Sequence, residues 1–258
     1  MKLERELQLA IELAVKAGKE IMKVYNRTFE VEYKEDDSPL TEADKASNDI
    51  IVPALKKASP EYAVLSEEEK DDLTRLENDY CWVIDPLDGT KEFVKRNGEF
   101  TVNIALSFQQ RVVLGVIYVP VSGELYYASE GNGAFYQSKD MDMPEKIEVT
   151  DRTEDIRLVM SRSHASDELK ELIDENNIDN VVKSGSSLKG ALIARGQAEV
   201  YYRFNPTMEW DTAAMQCIVE EAGGILRQMD GTEMLYNREN SLNDKGFYVV
   251  NCEENMLN

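Results

Sequence analysis

Two carboxylates three residues apart, Asp85 and Asp88, stand just after an apolar run that begins near Trp82. Pro86 and Gly89 restrict the backbone around them and predict a turn at the end of a strand. Mg²⁺ prefers oxygen ligands held near octahedral geometry, so this pair could share such an ion. The spacing alone is equally typical of an ordinary acidic turn, because Asp, Pro and Gly are common turn residues.

Further carboxylates follow other predicted strand or helix ends. Glu67 begins a run of three glutamates after a predicted buried strand, and Asp211 directly follows Trp210 at the predicted start of a helix. The glutamate run is also typical of a solvated surface. Clustered divalent ions can neutralise a phosphate monoester and activate a water for attack. If Gly89 and Thr90 open a helix, their N–H groups favour an anion, and the Thr90 hydroxyl could orient that water.

The overall charge limits the partners that such a site can serve. The chain has 258 residues, with 50 Asp and Glu against 29 Lys and Arg, which gives a formal net charge of −21. Nucleic acids and anionic membranes need a basic face, so neither is expected to bind. A hydrophobic fraction of 42% is enough for a packed core.

The cysteines and the apolar runs indicate the cellular compartment in which the protein is expected. Three cysteines without a C-x-x-C pair indicate neither a disulfide framework nor a thiolate metal site, so we expect a cytoplasmic protein. No apolar run approaches the ~18 residues of a spanning helix, so we expect no stable membrane insertion.

The elements that must position these carboxylates begin with an amphipathic helix. Apolar residues recur at helical steps over residues 7–25, and residues 29–33 alternate as a strand. A second helix follows, with Thr41 as its cap and Asp44 in the capping-box position. Pro53 predicts a kink or a restart within it.

The remaining elements predict two parts of different character. Strands are predicted at 62–65 and 80–84, followed by an antiparallel meander at 100–108, 111–120, 124–128 and 134–137. Beyond these, short strands (157–160, 181–183, 198–204, 225–228, 246–250) alternate with helices (165–176, 187–195, 211–222). We therefore expect an α+β part at residues 1–150 and an α/β part at residues 151–258.

Two segments carry a family resemblance. Asp85-Pro-Leu-Asp-Gly-Thr90 and Trp210-Asp-Thr-Ala-Ala214 resemble the signature segments of the inositol-monophosphatase superfamily of metal-dependent, lithium-sensitive phosphatases. Within this superfamily the chain is most similar to the CysQ-type 3'(2'),5'-bisphosphate nucleotidases, as Lys91-Glu-Phe93 indicates. The resemblance extends over essentially the whole chain. It implies a mixed α/β (α+β) fold, a layered αβαβα sandwich of the sugar-phosphatase and inositol-monophosphatase type.

The resemblance also implies roles for particular residues. Glu67, Asp85 and the Leu87 carbonyl would hold one Mg²⁺, and Asp85, Asp88 and Asp211 a second. A third ion would lie near Glu67. Asp36 and Thr90 would help to activate the attacking water, with Glu67 counted among the catalytic groups.

Substrate contacts are implied in both parts of the chain. The scissile phosphate would lie against a group formed by Leu87, Asp88, Gly89, Thr90 and Asp211. Ser186, Lys189 and Arg203 would take a second phosphate, although a capped helix with a surface lysine explains the first two equally well. His164 is not expected to be the general base. Gly190 stands where an aromatic residue is frequent, which could loosen a nucleotide pocket.

The function implied is Mg²⁺-dependent hydrolysis of 3'-phosphoadenosine 5'-phosphate to AMP and phosphate by a metal-activated water. One alternative is a broader inositol or sugar phosphate monoesterase, with inositol monophosphatase or fructose-1,6-bisphosphatase activity. Another is a noncatalytic acidic protein that binds divalent cations. The expected partner is a small anionic phosphate ester, and family members include both monomers and homodimers.

Overall fold

The computed structural model describes residues 3–33, 39–162 and 166–257. Across these ranges the chain forms six α-helices, together with short 3-10 turns at Thr74–Glu77 and Glu253–Asn255. The helices are α1 (Glu4–Tyr25), α2 (Glu42–Ala58), α3 (Thr90–Val94), α4 (Asp167–Glu175), α5 (Leu188–Ala194) and α6 (Glu209–Glu221). No helix within these ranges combines the length and the apolar character that crossing a membrane requires.

The strands form two larger sheets and two small ribbons. An antiparallel ribbon joins β1 (Val31–Tyr33) to β2 (Pro39–Thr41). The first large sheet has the order of the chain: β3 (Ala63–Ser66), β4 (Tyr80–Asp88), β5 (Thr101–Phe108), β6 (Arg111–Val119), β7 (Glu124–Ser129), β8 (Gly133–Gln137) and β9 (Glu145–Ile147). It is antiparallel except where β3 runs parallel to β4.

The second large sheet has the order β11-β10-β12-β16-β14. Its strands are β10 (Arg157–Ser161), β11 (Asn180–Ser184), β12 (Val200–Arg203), β14 (Ile225–Gln228) and β16 (Phe247–Val250). The second ribbon pairs β13 (Thr207–Met208) with β15 (Leu242–Asn243). This ribbon lies at the start of α6, where Asp211 is found.

Alternating side chains show how the layers stack. In the first sheet, Trp82 and Ile84 pack with residues of α1 and α2, whereas Val83 packs with residues of α6. In the second sheet, Val159 faces the same core as α5 and α6, whereas Leu158 packs against α4. Because neighbouring strand residues point to opposite faces, the layers run α1 and α2, sheet, α5 and α6, sheet, α4. The mixed α/β layered sandwich expected from the sequence is confirmed.

The structure also differs from the sequence-based expectations in places. α2 continues through Pro53 as one helix, so the predicted restart does not occur. The four strands β2, β9, β13 and β15 were not predicted, because two or three residues are too few to show an alternating pattern. The division at residue 150 stays a prediction: one core cluster contains both Val83 and Val159 and so spans it.

Candidate active site

The segment that the sequence predicts as a turn is the end of a strand. β4 pairs with β5 as far as Asp88, and its register shifts between Asp85 and Asp88. Such a bulge bends a strand and redirects its side chains. Pro86 lies inside this bulge and has no N–H to donate, while its carbonyl accepts a 2.6 Å hydrogen bond from the Ser47 hydroxyl. The bulge therefore brings both carboxylates to the same end of β4.

Three carboxylates meet at this end of β4. One oxygen from each of Asp85, Asp88 and Asp211 lies within 4.8 Å of the others. Asp211 comes from the start of α6, where its Oδ2 accepts a 2.6 Å hydrogen bond from the Met208 N–H. Asp211 is the third residue of the helix, and this is the bond that the third residue makes to the N-cap N–H in a capping box, so the start of the helix holds Asp211 in place.

The electrostatics of the cluster favour the binding of a positive charge. Asp85 is 1% exposed, and burial together with the charge of Glu67 raises its pKa well above the usual value. Burial also raises the pKa of Asp88, although the nearby Lys189 ammonium opposes this. Burial and the Asp88 charge raise the pKa of Asp211 to about 7. Oxygen donors so placed fit a hard divalent cation, which would compensate their repulsion.

Glu67 lies at the margin of the cluster. It follows β3, which runs parallel to β4, and its N–H donates to the Ile84 carbonyl at 3.2 Å. Glu67 is half-buried and acts on the pKa of Asp85 both through its charge and through a hydrogen bond. The structure thus brings Glu67, Asp85, Asp88 and Asp211 together, as the sequence predicts.

Asp44 also belongs to this site, which the sequence analysis did not predict. Its Oδ2 accepts hydrogen bonds from the Thr41 N–H and hydroxyl, both at 2.7 Å, and closes the expected capping box. Its Oδ1 lies 3.0 Å from the Thr90 hydroxyl, which also lies 3.2 Å from the Leu87 carbonyl. The capping pattern in the sequence predicted the contact of Oδ2 with Thr41, but nothing in the local sequence indicated the contact of Oδ1 with Thr90.

The loop before α5 docks onto Asp88. The Ser187 N–H donates to Asp88 Oδ2 at 2.6 Å, and the Asn103 side-chain amide donates to the same oxygen at 3.2 Å. Ser187 Oγ lies 2.8 Å from both Thr101 Oγ1 and Asn103 Oδ1. These contacts join the two large sheets at the carboxylate cluster.

The residues predicted for a second phosphate line a cavity of ≈ 390 Å³ that also borders Asp88 and Asp211. Lys189 is 6% exposed, and its Nζ donates to the Ser186 carbonyl. Burial lowers the pKa of Lys189 to about 8, although the charge of Asp88 opposes this. Arg203 follows on β12, with its Nε 3.3 Å from the Asn205 carbonyl. The cavity is therefore lined by both cationic and anionic side chains.

The comparisons with known proteins agree with this geometry. A model of the Inositol monophosphatase family matches residues 2–255. The chain belongs to this family. The 3'(2'),5'-bisphosphate nucleotidase CysQ of Salmonella typhimurium strain LT2 is 43% identical over 247 residues, which cover 95% of this chain and 99% of that protein. CysQ of Escherichia coli K12 is 41% identical over 246 residues, 94% and 98% of the two chains.

A solved structure supports the same assignment. The crystal structure of CysQ from Bacteroides thetaiotaomicron, a bacterial member of the inositol monophosphatase family, aligns with a TM-score of 0.85. The identity is 41%, and the alignment covers 98% of this chain and 99% of that one. The family resemblance inferred from the two signature segments is confirmed, and the chain is a phosphatase.

Two residues discussed from the sequence cannot be placed in this family site. Asp36 and His164 lie outside the described residues. The predicted role of Asp36 in activating water therefore stays a prediction, and among the described residues the Asp44 carboxylate lies beside Thr90.

Proposed function

We propose that this chain is a Mg²⁺-dependent 3'(2'),5'-bisphosphate nucleotidase that hydrolyses 3'-phosphoadenosine 5'-phosphate to AMP and phosphate. One observation carries the proposal: Asp88 and Asp211 of the acidic cluster and the buried cation Lys189 line the same ≈ 390 Å³ cavity. A bisphosphate needs one phosphate at each of two separate sites. The bisphosphate nucleotidases that are 41–43% identical to the chain support this substrate class.

We propose that Asp85, Asp88, Asp211, Glu67 and the Leu87 carbonyl hold two or three Mg²⁺ ions. Such ions neutralise the phosphate charge and lower the pKa of a bound water. The protein contributes the fixed positions of its oxygen donors. The bulge in β4 and the cap of α6 set those positions before any ion binds, so little rearrangement is needed.

Thr90 and Asp44 are proposed to orient and deprotonate the attacking water. A hydroxyl has one proton and two lone pairs. The Thr90 proton is directed to Asp44 Oδ1 or to the Leu87 carbonyl, so the Thr90 oxygen can accept a hydrogen bond from water. Asp44 can then take up the proton that the hydroxyl passes on.

The substrate is proposed to span the cavity from one part of the chain to the other. Leu87, Asp88, Gly89, Thr90 and Asp211 would surround the scissile phosphate. The first N–H groups of a helix have no acceptor within that helix, so Gly89 and Thr90 at the start of α3 can serve an anion. Ser186, Lys189 and Arg203 would hold the second phosphate. The substrate would then lie between the parts at 1–150 and 151–258.

Phosphate release from four substrates tests the proposal. The bisphosphate nucleotide, AMP, inositol 1-phosphate and fructose 1,6-bisphosphate are compared, each with Mg²⁺ and with EDTA. The nucleotide bisphosphate should be hydrolysed fastest, and only with metal. Faster hydrolysis of inositol 1-phosphate would instead support the broader phosphatase, and no release from any substrate would support simple cation binding.

A further inference from the structure

Gly190 on α5 and Met215 on α6 meet where these two helices pack together. A Cβ atom built at Gly190 would lie 2.2 Å from Met215 Cγ and 2.3 Å from Met215 Sδ. Both distances are far below van der Waals contact, so any larger residue at 190 would have to displace the Met215 side chain. The sequence suggested that Gly190 could loosen the pocket, but the space beside it is filled.

Met215 is also part of the cavity wall. Met215 is one of the residues that line the cavity, together with Tyr201, Met208, Leu242 and Phe247. Met215 is only 2% exposed and belongs to the core cluster between the sheets. Because a core is close-packed, a displaced thioether can move most readily toward the cavity. Methionine has three rotatable bonds and can make such a move.

We propose that the pair Gly190 and Met215 determines substrate size at this site. Gly190 leaves room for the Met215 thioether to lie back against α5, and the thioether then forms the apolar wall against which the nucleoside packs. This inference rests on the proposed nucleotidase function. It assigns nucleoside selection to this wall, whereas the cationic residues select only the second phosphate.

The two residues should therefore behave as a coupled pair. Gly190→Ala pushes the thioether into the cavity and should raise the KM for the nucleotide bisphosphate about tenfold, with kcat nearly unchanged. Met215→Ala widens the cavity and should raise the same KM about threefold. One methylene more or less in an apolar pocket can alter discrimination by about 10- to 200-fold, so KM changes of threefold and tenfold from an altered pocket wall are modest on that scale and lie within reach of steady-state assays. Inositol 1-phosphate, which lacks a nucleoside, should be affected much less.

The double variant Gly190→Ala/Met215→Ala is the decisive measurement. Without the thioether there is no clash, so its KM should fall back from the Gly190→Ala value to that of Met215→Ala alone. A double variant as impaired as Gly190→Ala, or more so, would overturn the proposal. So would two single variants with the wild-type ratio of kcat/KM between nucleotide and inositol 1-phosphate.

Met234→Ala is the matched control. Met234 is also 2% exposed in the same core cluster, but it lines a different cavity. Its truncation should lower thermal stability and leave the substrate ratio unchanged. If Gly190→Ala does not fold, Met215→Ala still tests the wall, with AMP as a competitive inhibitor. Failure of the nucleotidase assignment is a separate result, because then the wild-type protein itself would not hydrolyse the bisphosphate.

Discussion

Replacing Asp85 by Asn should affect activity and stability in opposite directions. Asp85 is buried, and its charge lies close to those of Glu67, Asp88 and Asp211. The amide keeps the shape and one oxygen acceptor, so the 3.1 Å hydrogen bond from the Leu87 N–H can persist. The fold should therefore remain, while a negatively charged metal ligand is lost.

The distances in the cluster set the size of the stability change. At the 4.8 Å that bounds the cluster, two unit charges repel by about 3 kcal/mol at an effective dielectric constant of about 20. Protons bound to the cluster at pH 7 already remove part of this repulsion, because the pKa of Asp211 is raised to about 7. Because burial also raises the pKa of Asp85 itself, the metal-free Asp85→Asn protein should gain up to about 2 kcal/mol, with the full gain only above that raised pKa. For a chain of this size that corresponds to roughly 4–8 °C in Tm.

The pH dependence has a definite sign. Between the ordinary pKa of an aspartate and about pH 7, folded metal-free protein binds more protons at Asp211 than the unfolded chain does. The contribution of Asp211 to the free energy of unfolding is therefore fully present below about pH 4 and is lost as the pH rises toward 7. Asp85→Asn should reduce the loss of stability at higher pH, because the buried Asp85 carboxyl, whose own pKa is raised well above the usual value, no longer has to ionise in the folded protein.

Calorimetry in EDTA and in Mg²⁺, together with phosphate release, checks this prediction. Wild type should gain Tm with Mg²⁺, whereas Asp85→Asn should gain little and lose at least about 10³-fold in kcat. Asp140→Asn, at an exposed position after β8, is the control and should change neither quantity. Near-normal turnover of Asp85→Asn, or a lower Tm in EDTA, would contradict the reasoning.

Three further predictions concern the groups around the cluster. Lys189→Met should raise the KM of the bisphosphate at least tenfold and spare inositol 1-phosphate, and in wild type that KM should rise above about pH 8, where Lys189 loses its proton. Thr90→Val should lower kcat about 10²- to 10⁴-fold in steady-state assays with little change in KM, whereas Thr90→Ser should retain activity. Glu209→Gln should cost about 2–3 kcal/mol in urea unfolding, because the fully buried carboxylate accepts three hydrogen bonds from Asn237 and Arg238.

Local chemistry made part of the site predictable from the sequence. The capping box at Thr41 and Asp44 depends on residues three apart, and the structure contains it. The bulge in β4 was missed because its cause is not local. Asp85 must pair with Asn103 and Asp88 with Thr101, and only the neighbouring strand β5 supplies those partners. The contact between Asp44 and Thr90 likewise joins segments 46 residues apart.

Three aspartates of the site are held in a similar way. Oδ2 of Asp44 closes the capping box of α2, Oδ2 of Asp88 accepts the Ser187 N–H, and Oδ2 of Asp211 caps α6. One oxygen of each carboxylate thus fixes the side chain through a backbone N–H, and the other oxygen is available to the chemistry. The sequence analysis predicted the capping contact of Asp44 and metal binding by Asp88 and Asp211, and in each case the folded structure determines the partner of the other oxygen.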